Sequence, residues 1–146
     1  MLITFEKNAK AAEVSARILA AAGLTDCVTT HVCEAGSGAA LHAGTIRPGS
    51  VGLLFLDHEK TAYPADLCAW MESGLLAPRC VVLADNIHFQ DCPHEAYLSL
   101  VRDPARGFAS SSFYASLIEY TTHSEDVSDL AHPLHIRDGM ELSVLA

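Results

Sequence analysis

Three apolar runs of this chain end in an acid: residues 2–5 at Glu6, residues 51–56 at Asp57, and residues 80–84 at Asp85. Runs of this kind read as strands, and in open α/β sheets ligands bind outside the carboxyl ends of the strands. Asp57 and Asp85 are separated by one helical and one strand-like stretch. Sequential parallel strands are commonly neighbours, about 4.8 Å apart, so the two carboxylates can converge on one point. Asn86 follows and adds an amide oxygen. Two carboxylates and an amide are hard oxygen donors suited to Mg²⁺, with the other octahedral positions left to water and substrate. Zinc would prefer His and Cys. Lys60 leaves the same strand end as Asp57, and a lysine beside a divalent cation can take a proton from a substrate hydroxyl. Each residue also has a plainer reading. A strand-end acid can cap the next helix or loop, and a loop lysine can be a solvated charge. Spacing alone leaves both readings of the acids open, and for Lys60 without a metal the solvated charge is the preferred reading.

The elements that position these residues follow from periodicity and punctuation. After the first strand, Asn8 can cap a helix in which Ala11, Val14, Ile18 and Ala21 recur at helical spacing, stopped by Gly23. Residues 27–33 (CVTTHVC) are β-branched and strand-like. Residues 34–44 are rich in Gly and Ala and read as a loop with a short helix. VGLLFL at 51–56 has the pattern of a strand buried on both faces. Pro64 suits a first helical turn, and Leu67, Trp70, Met71 and Leu75 form a helical stripe. CVVLA at 80–84 predicts a second buried strand, 93–101 a third helix, and 107–120 an aromatic-bearing strand. Residues 121–137 are polar without a period, and 140–145 predict a last strand, with Asp138-Gly139 as turn residues ahead of it. The alternation predicts one α/β domain: a mostly parallel sheet with helices on both faces and an antiparallel pair at the C-terminal end.

The chain has 146 residues, half of them apolar, enough for a real core. Eighteen acids against nine bases give a net charge of −9. Such a chain is repelled by phosphate polyanions, and its basic residues form no run, so neither nucleic acid nor membrane is an expected partner. The longest uncharged apolar run falls far short of a membrane span, and the N-terminus lacks the charge-first order of a signal peptide. The five cysteines include no two-residue spacing, and four lie in or beside apolar runs. That pattern predicts buried reduced thiols and a cytoplasmic location. His31, His42, His88 and His94 show no metal spacing, and His123, His132 and His135 share the polar segment and read as solvated.

Asp57-His58-Glu59-Lys60, Tyr63, Gly74-Leu75-Leu76 and Val82-Leu83-Ala84-Asp85-Asn86 closely resemble catechol O-methyltransferases. So do Leu2-Ile3-Thr4-Phe5-Glu6 and Ser116-Leu117-Ile118-Glu119-Tyr120, and the resemblance runs from Leu2 to Tyr120 in the same order with similar gaps. It implies a Rossmann-like sheet, and methyl transfer from S-adenosylmethionine to one hydroxyl of a catechol. By the resemblance, Asp57, Asp85 and Asn86 hold Mg²⁺, and the metal lowers the pKa of the hydroxyl and orients it. Lys60 takes the proton, Glu119 hydrogen-bonds the second hydroxyl, Glu6 grips the cofactor ribose, and His58 stands with Glu6 on the cofactor side.

The resemblance begins at the family's second strand. It therefore implies a domain lacking the central first strand, its glycine-rich loop and the upstream helices, with residues 121–137 as an insertion. Unpaired strand edges would then invite self-association. Other departures are Glu59 in place of a Trp, Ile87-His88-Phe89-Gln90 where the family has a proline, and Ala35-Gly36 where it has Ser-Gln. Gly36-Ser37-Gly38 follows the wrong strand to be the cofactor loop. Two alternatives stand beside the enzyme: an inactive remnant or interaction module that keeps the sheet, and another metal-dependent α/β protein such as a phosphoryl-transfer domain. The last lacks a phosphate-cradling loop.

Overall fold

The computed structural model describes residues 1–33, 46–88, 94–116 and 137–146. Strand β1 (Leu2–Glu6), helix α1 (Ala9–Ala21) and strand β2 (Val28–Val32) form one unit, in which β1 and β2 pair in parallel. Asn8 Oδ1 caps α1 by accepting from the backbone N–H groups of Lys10 and Ala11. The expected apolar stripe of this helix does not face the interior. Ala12 is buried, whereas Val14 and Ile18 are 47% and 63% exposed. A two-stranded platform is too narrow to cover the whole stripe, and the helix rests on it through its smallest side chain.

Strands β3 (Val51–Leu56), β4 (Leu76–Ala84), β5 (Phe108–Ser116) and β6 (Arg137–Leu145) form a second sheet in the order β3-β4-β6-β5. β3 and β4 are parallel, and β6 runs antiparallel to both β4 and β5. The expected α/β architecture with an antiparallel C-terminal strand is therefore present, but as two sheets among the described residues. Helix α2 (Tyr63–Glu72) and helix α3 (Glu95–Arg102) supply the helical layer. The core lies between sheet and helices: Leu54, Leu56, Val82 and Ala84 from the strands meet Tyr63, Leu67, Trp70, Tyr97 and Val101 from the helices. Phe5 ties β1 to this core, its ring centroid 6.2 Å from that of Trp70.

Three further expectations are corrected. β3 is not buried on both faces: Leu54 and Leu56 point into the core, while Leu53 and Phe55 are 59% and 51% exposed. The strand lies at the sheet edge, and period-two alternation sends its odd positions to an uncovered face. β4 begins at Leu76 rather than Cys80, because Leu76 already pairs with Val51 before an irregularity at which Arg79 adopts φ +62°. Asp138 and Gly139 belong to β6, opposite Ala115 and Tyr114, rather than to a turn ahead of it. An alanine at 139 would drive its Cβ into the Phe113 carbonyl oxygen, so only glycine permits this close pairing. The cysteine expectation holds in part. Cys80 is buried, Cys33 and Cys68 are half-buried, and Cys27 is exposed, because it lies outside the main core. Cys92, the segment 34–44, most of the expected insertion and Glu119 lie outside the described residues.

Candidate active site

The parallel register continues past the strand ends. Leu56 pairs with Ala84, and the Asp85 N–H donates to the Leu56 carbonyl at 2.9 Å. Asp57 and Asp85 therefore leave adjacent strands side by side at the carboxyl edge. Lys60 begins a single 3₁₀ turn, Lys60–Ala62, which leads into α2. Its Nζ donates to Asp57 Oδ1 at 2.9 Å and to Tyr63 Oη at 2.8 Å. The Lys60 side chain is only 17% exposed, so it is not a solvated loop charge. Tyr63 is fully buried, and its hydroxyl donates to the Asp85 carbonyl at 3.2 Å. Lysine and tyrosine thus link the two strand ends.

Asn86 adopts φ +55°, a left-handed conformation that Asn tolerates better than most residues. Its Nδ2 donates to Asp138 Oδ2 at 2.6 Å, while Asp85 Oδ1 accepts from the Asn86 backbone N–H at 2.7 Å. No described residue donates to Asn86 Oδ1. The candidate donor set is thus two carboxylates and an amide oxygen, all hard ligands, and it fits an Mg²⁺-like cation in chemistry. Among the described residues, no group of three His, Cys, Asp or Glu side chains could hold a metal. A cation here would draw on the amide oxygen in addition to the two carboxylates.

Other candidates behave differently. Glu6 turns its carboxylate back to accept from the Asn8 N–H at 2.7 Å, which is the capping role weighed from the sequence. Glu59 does likewise toward Thr61, accepting from its hydroxyl at 3.2 Å. His58 Nε2 lies 2.6 Å from Asp66 Oδ2 but is not aligned for a hydrogen bond. This contact holds the ring 5.0 Å from that of Tyr63.

Three residues near this edge had no functional role in the sequence reading: Tyr63, Asp138 and His94. Tyr63 was legible as part of the resemblance, three residues past Lys60. His94 is 4% exposed, and neither ring nitrogen has a hydrogen-bond partner among the described residues. Burial pushes its pKa down, with the nearby Lys60 charge adding to the effect, which favours a neutral imidazole. Asp138 is 3% exposed and lies fifty-two positions from Asn86 in sequence.

No protein-family model matches the chain. It is 31% identical to catechol O-methyltransferase of Bos taurus over 120 residues, which is 82% of this chain and 43% of that protein. It is 37% identical over 87 residues to a protein of Mycobacterium tuberculosis named "Probable O-methyltransferase", covering 56% of this chain and 37% of that one. The chain thus spans less than half the length of either relative. Among solved structures it superposes on an O-methyltransferase from Bacillus cereus with a TM-score of 0.73 at 16% identity, covering 99% of this chain and 62% of that one. The match establishes a shared Rossmann-like fold.

Proposed function

We propose, for a chain related in sequence to catechol O-methyltransferases and sharing the Rossmann-like fold of O-methyltransferases, that it serves methyl transfer from S-adenosylmethionine to one hydroxyl of a catechol with Mg²⁺. The observation that carries the reading is the grouping of Asp57, Lys60, Asp85 and Asn86 at the carboxyl ends of β3 and β4, with Lys60 Nζ held between Asp57 and Tyr63. Asp57, Asp85 and Asn86 would hold the cation. When bound, Mg²⁺ supplies Lewis-acid polarisation that makes a catechol hydroxyl acidic. Lys60 accepts the hydroxyl proton at Nζ, and Tyr63 fixes the position of that nitrogen. Glu119 orients the second hydroxyl by accepting its hydrogen bond. Glu6 and His58 contribute to the cofactor side, which requires Glu6 to exchange its Asn8 contact for a ribose hydroxyl. The substrate is a small molecule, consistent with a chain of net charge −9. No helix among the described residues is long and apolar enough to cross a membrane, and we read the location as cytoplasmic.

Calorimetric titration with Mg²⁺ and with S-adenosylmethionine tests the reading. Both should bind the wild-type chain, and Asp85→Ala should lose the metal while keeping the cofactor. A wild-type chain that takes up no divalent cation overturns the metal-assisted reading.

A second reading, a non-catalytic module that associates through this sheet, draws on the uncovered apolar positions Leu53 and Phe55 of edge strand β3. Absence of S-adenosylmethionine binding together with concentration-dependent association would favour it.

A further inference from the structure

We propose that Asp138 is a positioning residue for Asn86: it fixes which end of the Asn86 amide is offered to a cation. The inference rests on the metal reading above and adds a residue to it. A primary amide presents an oxygen at one end and an NH₂ at the other, and the two have nearly the same shape. Only the oxygen can ligate Mg²⁺. A carboxylate accepts hydrogen bonds and does not donate them, so a carboxylate beside the amide selects the NH₂ end and leaves the oxygen free. Asp138 Oδ2 is 2.6 Å from Asn86 Nδ2.

The carboxylate is itself held. Asp138 is 3% exposed, and Oδ1 accepts from the Gly139 N–H at 2.7 Å and the His88 N–H at 3.3 Å. Its backbone is part of β6, opposite Ala115. The loop that carries Asn86 is tied to the same strand by the Ile87 N–H, which donates to the Gly139 carbonyl at 3.0 Å. The side-chain contact is therefore framed by backbone contacts on both sides of it. Outer partners of this kind orient ligands, and their loss typically weakens metal affinity by about 10–100-fold.

The test is a double-mutant cycle on metal affinity, with Mn²⁺ followed by electron paramagnetic resonance as the probe. Asp138→Asn keeps the shape and can face Asn86 with either end of its own amide. We expect it to weaken Mn²⁺ binding by about 10-fold or more, with S-adenosylmethionine affinity unchanged. In an Asn86→Ala background the same substitution should have no further effect on Mn²⁺, because its route runs through Asn86. A merely structural role would lower the thermal midpoint and weaken Mn²⁺ equally in both backgrounds, which overturns the proposal. Unchanged Mn²⁺ affinity in Asp138→Asn, with wild type binding normally, overturns it while leaving the metal reading intact. Should Asp138→Asn fail to fold, Asp138→Ser, smaller and still polar, enters the same cycle. No Mn²⁺ binding by wild type overturns the metal reading first and this inference with it.

Discussion

Lys60 Nζ stands 2.9 Å from Asp57 Oδ1, so the candidate proton acceptor is in contact with a candidate metal ligand. The two roles can be separated by mutation. Lys60→Ala should leave divalent-cation affinity within about threefold of wild type while slowing methyl transfer by about 10²–10⁴-fold. Asp85→Ala should remove metal binding. Calorimetry and single-turnover kinetics check the pair, and equal loss of metal affinity in both variants would contradict the separation.

Tyr63 joins Lys60 to the opposite strand end through the Asp85 carbonyl. Tyr63→Phe keeps the buried ring and removes only the hydroxyl. It should cost about 1 kcal/mol of stability and lower kcat more than it raises KM. Denaturant unfolding and steady-state kinetics read the two effects.

How much of this was legible in the sequence depends on distance along the chain. The pairing of Asp57 with Asp85 was legible, because two apolar runs ending in acids and separated by one helix leave few other arrangements. The stripe of Leu67, Trp70, Met71 and Leu75 was legible in part: Leu67 and Trp70 are buried on α2 and Met71 is half-buried, but Leu75, though buried, lies beyond the helix end at Glu72. The contact of Asn86 with Asp138 was not legible: it needs β6 to lie beside β4, and Asp138-Gly139 reads locally as a turn. The exposure of Leu53, Phe55, Val14 and Ile18 was also hidden. An apolar pattern reports which face could be buried, while the number of neighbouring elements decides whether it is. Glu6 shows the opposite case, since the plain capping contact weighed from the sequence is the one observed.

Glu141 is fully buried in β6, where Arg102 Nε and Nη2 reach its two oxygens at 2.8 and 2.9 Å and Ser112 donates to one of them. Burial pushes its pKa up, but the Arg102 guanidinium and the Ser112 hydroxyl outweigh this and hold it below the usual carboxylate range. A depressed carboxylate contributes stability above its unfolded pKa of about 4.3 and loses it as pH falls through the lower folded value. The thermal midpoint should therefore fall on acidification below about pH 4. Arg102→Ala strands a buried charge and should cost about 3 kcal/mol at neutral pH. A pH-independent midpoint across this range would contradict the assignment.

Leu53 and Phe55 face outward from edge strand β3. Such an edge is a template for pairing with another chain. The chain should associate as its concentration rises, and Phe55→Lys should shift the equilibrium toward monomer. Sedimentation velocity across a dilution series measures this, and an association unaffected by Phe55→Lys would point to a different surface.

The most direct test of the central claim is transfer of a labelled methyl group from S-adenosylmethionine to a catechol, followed with Mg²⁺ and with a chelator. The geometry at Asp57, Lys60, Asp85 and Asn86 predicts methylated product only when the cation is present, formed about 10²–10⁴-fold more slowly by Lys60→Ala. Product formed equally well with the chelator, or no product under either condition, would contradict it.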